Sequence, residues 1–75
     1  MNKSEAMDLL NEIIASCPAL NFNGFYLREI RSSLTNEVEL RLLVSLDKDS
    51  RKTVNPVIAN RGLQLIEESG LLIIY

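Results

Sequence analysis

The sequence predicts an α+β fold: a two-layer sandwich in the order α-β-β-α-β, its three-stranded sheet carrying both helices on one face. Three observations carry that reading. Residues 3–17 place Ala6, Met7, Leu9, Leu10, Ile13, Ile14 and Cys17 at three- and four-residue spacings, the mark of an amphipathic helix. Val38–Leu46 reads V-E-L-R-L-L-V-S-L, so Val38, Leu40, Leu42, Val44 and Leu46 recur at strict period two and point to one face of a strand. The chain closes on L-L-I-I-Y directly after Gly70, a strand with no polar face.

In chain order, the first helix begins with competing caps. Asn2 with Glu5 three residues on has the spacing of a capping box, and Ser4 is the alternative cap. Pro18 ends the helix, because the residue before proline is driven out of the α region. Ala19–Gly24 is a connector with turn-forming asparagines, in which Leu20 and Phe22 tuck toward the core. Phe25–Ser33 reads as the first strand. Phe25 and Leu27 share one parity and Ile30 the other, so a bulge near Arg28–Glu29 would return Ile30 to the inner face. A turn around Asn36 then makes the first two strands an antiparallel pair.

Beyond the central strand, D-K-D-S-R-K (47–52) reads as a polar loop, and Asn55-Pro56 as the cap and first turn of a second helix over 56–69. That helix would turn Ile58, Ala59, Gly62, Leu65 and Ile66 inward, and Arg61, Gln64, Glu67 and Glu68 outward. Gly62 either permits close approach to the sheet or marks a break, and Gly70 is the expected helix stop. The last strand would pair with the second in parallel through a βαβ crossover; a fully antiparallel place beside the first strand is the alternative. The order of elements, and only the order, resembles a ferredoxin-like βαββαβ unit that lacks its first strand.

Composition bounds the function. With 75 residues, 47% of them hydrophobic, the chain forms one small globular domain, residues 1–75, rather than a disordered segment. Cys17 is the sole cysteine, so no intrachain disulfide and no cysteine-rich zinc site can form. Glu5 and Asp8 stand where a signal peptide needs an apolar run, and Leu71–Tyr75, the longest apolar run, is far short of the ~20 residues that span a bilayer. A cytoplasmic protein with no membrane contact is the expectation. The net charge of −2 offers no general attraction to nucleic acid or to acidic lipid.

Catalysis has thin material. There is no histidine, the commonest neutral-pH acid or base. The carboxylate pairs Asp47/Asp49, Glu37/Glu39 and Glu67/Glu68 read as solvated surface charge, although two glutamates on one strand face could hold a cation. The 47–52 stretch lacks the acidic spacing and glycine of a calcium loop, and N-R-G-L is no phosphate loop. Cys17 lies on an apolar stripe and reads as a small buried hydrophobe. No catalytic residue, cofactor or metal is therefore expected, and the protein is read as a non-enzyme.

Binding is the expected work. Two helices cover only one face of a sheet, yet Leu43 lies on the polar parity of the central strand and L-L-I-I-Y is apolar on both. Leu43, Leu71, Leu72, Ile73, Ile74 and Tyr75 are thus the candidate interface, Leu43 being joined by whichever parity of the last strand faces away from the helices. The partner would be a second copy of the chain, giving a homodimer, or another protein. The alternative is single-stranded RNA or DNA, with Arg28, Arg31, Arg41 and Tyr26 on the open sheet face.

Overall fold

In the computed structural model the chain runs α1 (Lys3–Ser16), β1 (Phe25–Glu29), β2 (Val38–Leu42), α2 (Lys48–Asn60), β3 (Leu65–Glu68) and β4 (Leu71–Ile74). The structure describes residues 1–18, 20, 23–30 and 37–75. The α+β class and the antiparallel β1–β2 pair agree with the sequence. The sheet has four strands rather than three, in the order β1-β2-β4-β3, and every neighbouring pair is antiparallel.

The first helix forms as its sequence dictates. Asn2 Oδ1 accepts from the Glu5 backbone N–H at 2.8 Å, and Glu5 Oε1 accepts in return from the Asn2 N–H at 3.1 Å, closing the capping box. Ala6, Leu9, Leu10 and Ile13 are buried against the sheet and α2, whereas Met7 and Ile14, at the flanks of the same stripe, stay half-exposed. Full burial of a leucine or isoleucine contributes roughly 1.5–3 kcal/mol, so this stripe anchors the helix. Pro18 follows one residue beyond Cys17, which ends α1.

On β2, Val38, Leu40 and Leu42 turn inward as the alternation requires, and Glu39 and Arg41 turn outward. The strand stops at Leu42 rather than at Leu46. Val44 and Leu46 remain buried in the segment leading to α2. No bulge interrupts β1: its register against β2 is continuous from Phe25↔Leu42 to Glu29↔Val38. The proposed extension of that strand to Ser33, the turn around Asn36 and the burial of Phe22 fall outside the described residues.

The largest departure lies in 47–69. The segment 47–52 is no loop but the start of α2: Asp47 is the N-cap, and its carboxylate accepts the Ser50 N–H at 2.7 Å. Asn55-Pro56 therefore sits inside the helix. Pro56 can donate no bond to the carbonyl four residues back, and its ring lies on the exposed side. Gly62 ends the helix. Its φ is 70°, its N–H donates to the Ala59 carbonyl at 3.0 Å, and the Leu63 N–H donates to Ile58 at 3.1 Å. Those two bonds are the Schellman pattern, which needs a left-handed residue where glycine stands.

Residues 65–68 are consequently a strand and not the end of a helix. Ser69-Gly70 joins β3 to β4 as a two-residue hairpin loop, Glu68 facing Leu71 across it, with Gly70 supplying φ 72° at the second position. This hairpin folds β4 back between β2 and β3, so β4 is an interior strand antiparallel to both. The parallel crossover is overturned for β2 and β4, and so is the ferredoxin-like order. The strands that α2 connects, β2 and β3, do run parallel, with β4 inserted between them.

The core lies between the sheet and the two helices, where Leu9, Ile13, Val38, Leu40, Leu42, Val54, Leu72 and Ile74 are fully buried. Arg51 on α2 reaches Glu67 on β3 at 2.9 Å, and Arg61 past the end of α2 reaches Glu12 on α1 at 3.0 Å. Both pairs close the rim of this layer.

Two outcomes test this arrangement. Leu42→Asp should cost roughly 3 kcal/mol or more, because it leaves an unpaired charge in the core, whereas Arg41→Ala one position away should barely change the denaturation midpoint. Comparable midpoints for the two variants would invert the facing of β2. The second outcome concerns pH. The Ser50 backbone N–H, seconded by the Ser50 hydroxyl, holds the Asp47 carboxyl below its ordinary pKa. The stability this gives is fully present above the unfolded carboxyl's pKa, about 3.9, and is lost as pH falls through the lower folded value. Asp47→Asn keeps a cap but cannot titrate, so its stability should fall less steeply than wild type in acid, as read by urea denaturation at a series of pH values.

Candidate interaction face

Both helices pack on one side of the sheet, and the strand registers determine what the other side carries. Tyr26 pairs with Arg41, Arg41 with Ile73, and Ile73 with Ile66, so these four residues form one row across all four strands. A second row begins with Arg28 opposite Glu39 and ends with Tyr75 and Gln64, whose backbones exchange bonds of 3.0 and 2.7 Å. In a third, Leu43 faces Gly24, to which its N–H donates at 2.8 Å, and Leu71 faces Glu68. Extending the β2–β4 register by one residue each way sets Tyr75 beside Glu39 and Leu71 beside Leu43.

The face is largely apolar and open. Tyr26, Leu43, Ile66 and Tyr75 are each 40–43% exposed, although large apolar side chains are ordinarily the buried ones. Ile73, in the middle of the same face, is buried at 8%. Leu43 is exposed partly because the residue across from it is Gly24: a Cβ built there would lie 3.8 Å from Leu43 Cδ1, and glycine has none.

A polar cluster sits within the apolar surface. Arg41 donates from Nη2 to Glu39 Oε2 at 3.0 Å and from Nη1 to the Tyr26 hydroxyl at 3.5 Å. Its guanidinium carbon lies 5.9 Å from the Tyr26 ring centre, within cation–π range. The Tyr26 hydroxyl and the Glu39 carboxylate both hold the Arg41 pKa above its ordinary value, so the group is charged at every relevant pH. The charge is met within the sheet.

The residues singled out from sequence divide along the strand period. Leu43, Leu71, Ile73 and Tyr75 belong to the open face, whereas Leu72 and Ile74 point into the core with 1% and 0% exposure. Tyr26, Arg28 and Arg41 share the open face, and Arg31 lies outside the described residues. Ile66 is the member that sequence reasoning assigned to the interior, as part of a helix. The Ser69-Gly70 pair between two short apolar runs is the hairpin signal that places it on the sheet. The β conformation also parts Glu67 from Glu68, sending the first to Arg51 and the second to the open face.

The Cys17 sulfur is buried where α1 meets α2, 3.6 Å from the Ser50 hydroxyl. Asp47 is occupied as a cap, and Glu37 meets the Met1 ammonium. Among the described residues no group of three His, Cys, Asp or Glu side chains is placed to hold a metal ion, and no helix is long and apolar enough to cross a membrane. Neither a protein-family model, nor a curated protein, nor a solved structure matches this chain.

Burial of the thiol is open to direct measurement. In the native protein Cys17 should react with an alkylating reagent far more slowly than after unfolding, and Cys17→Ala should lower stability modestly by leaving a small cavity. Native alkylation at the unfolded rate would contradict its placement.

Proposed function

We propose that the chain is a protein-binding module whose working surface is the sheet face opposite the helices. One observation carries this reading: four half-exposed large apolar side chains, contributed by or next to all four strands, gather on a face that no helix among the described residues covers. Contiguous apolar surface of this kind marks an association site. Two of the four are tyrosines, which bring large contact area together with a polar tip and are enriched at interface centres.

The sheet edges fit this work less well. β1 and β3 are the edge strands, of five and four residues, and their outer ends carry Arg28-Glu29 and Glu67-Glu68. Short, charged edges discourage strand addition. The C-terminal strand, being interior, contributes through the side chains of Leu71, Ile73 and Tyr75 and offers no free backbone ladder.

Nucleic acid is the weaker reading of the same surface. The ring on which a base would stack already has Arg41 over it, and the Arg41 charge is answered by Glu39 rather than left for a phosphate. The observations favour no catalytic role.

Ile66→Glu and Leu43→Glu test the proposal, with Met7→Glu on the exposed side of α1 as control. Association, measured by sedimentation and by cross-linked capture from native extract, should weaken about tenfold or more in the two face variants, the size of a central interface contact. Circular dichroism and the denaturation midpoint should stay near wild type. Association that survives both face variants would overturn the assignment.

A further inference from the structure

The identity of what covers the open face follows from its charge and shape, given that the face is the binding surface. Within its three rows lie Arg28, Arg41, Glu39 and Glu68, two charges of each sign, on a protein whose net charge is −2. A surface of zero net charge selects no strongly basic or acidic partner. It does spare an acidic protein the repulsion of meeting its own copy.

The placement of those charges is more specific. Arg41 and Glu39 neutralise each other near the middle of the face. Arg28 and Glu68 have no ion-pair partner among the described residues, and they stand at opposite corners: Arg28 on edge strand β1 in the second row, Glu68 on edge strand β3 in the third. Three strand spacings of ~4.8 Å separate the edge strands, and the outer rows lie four residues apart at ~3.4 Å each, so the face is nearly square, about 14 Å on a side. Its diagonal is about 20 Å by the same spacings, too long for Arg28 and Glu68 of one chain to meet.

Two identical faces stack about a two-fold axis lying in the plane between them, and only a few directions of that axis need be considered. With the axis along the strands, Arg28 falls over Gln64 and Glu68 over Gly24. With the axis across the strands, the same charges fall over Gly24 and Gln64 respectively. Along the Arg28–Glu68 diagonal, each charge meets its own copy. The remaining diagonal exchanges the two corners and sets Arg28 over Glu68 twice. Because the face is nearly square, that axis also turns rows into columns. Tyr26 then lands between Leu43 and Leu71 of the other sheet, Ile66 lands between Glu39 and Tyr75, and the two Arg41 side chains meet near the axis, each held by its own Glu39. The four exposed apolar side chains thus find apolar neighbours by the same operation that pairs the charges.

We propose that the occupant of the open face is a second copy of this chain, stacked face to face with the strands of the two sheets crossing close to a right angle, so that Arg28 of each protomer meets the partner's Glu68. Orthogonal crossing is one of the two established ways for sheets to pack. The contact is small, so a dissociation constant in the micromolar range is expected.

Charge exchange decides it. Wild type, R28E, E68R and R28E/E68R are compared by sedimentation across a micromolar range, with circular dichroism to confirm that each is folded. Each single reversal should weaken the dimer about tenfold, since the two-fold axis counts every lost pair twice. The double exchange should restore it to within about threefold of wild type, and mixing the two single variants should produce a heterodimer where neither alone dimerises well. Should R28E and E68R dimerise like wild type, or the double variant fail to recover, the crossed arrangement is wrong; if Ile66→Glu still abolishes that dimer, the open face remains the binding surface. A wild-type protein that stays monomeric throughout also overturns the proposal. Capture of another protein that Ile66→Glu prevents would then show that the face itself was correctly assigned.

Discussion

Val38, Leu40 and Leu42 have 0–1% of their surface exposed, and the facing of the whole sheet follows from theirs. A strand interior to a sheet imposes its parity on both neighbours through the hydrogen-bond ladder. Once these three point at the helices, Leu27 on β1 and Leu72 and Ile74 on β4 must do the same, and Leu65 follows through Ile74. A slip of one residue would turn every one of them toward water. The open face is thus the necessary complement of the core, since each inward residue leaves its neighbours outward.

That constraint explains why a strand as apolar as Leu71–Ile74 is tolerable in a sheet with helices on one side. Its inner pair, Leu72 and Ile74, completes the core between β2 and β3. Its outer pair, Leu71 and Ile73, has side-chain neighbours on the same face and no layer above it among the described residues. Full apolarity is the usual character of a strand buried on both sides. Here the composition of β4 suits a sheet with a second cover, and the described residues supply only one.

The legible parts of this fold are those where a local pattern has no rival. The stripe of α1 reads directly as a helix, although Met7 and Ile14 on it stay exposed, and the alternation of β2 as a strand, although that strand stops at Leu42 rather than Leu46. Between 47 and 69 two patterns competed. Asn55-Pro56 looks like a helix start, but Asp47 already caps the helix eight residues earlier, and Pro56 is tolerated inside it on the solvent side. Leu65 and Ile66 continue a helical spacing from Ile58 as well as they begin a strand, and four residues are too few to separate the two periods. The left-handed Gly62 decides for the strand, a fact of backbone conformation that glycine permits without requiring. The candidate face was legible to the same degree: Leu43 follows from β2 parity alone. For an all-apolar strand, only the register tells Ile73 from Ile74, and Ile66 could join the face only after its segment became a strand.

The polar cluster within the open face bears on whether covering that face is physically reasonable. Burying an unpaired arginine would oppose any association, because desolvation of a lone charge costs more than apolar contact returns. Arg41 is not in that position. Its side chain is 16% exposed and that of Glu39 21%, so neighbours in the sheet have already removed most of the water from both. The pair keeps its 3.0 Å contact whether or not a second layer arrives. What remains for a covering layer to desolvate is chiefly the apolar rim around the pair: the tyrosine rings, Leu43 and Ile66. A neutralised, largely dehydrated pair surrounded by exposed apolar groups therefore adds little to the cost of association.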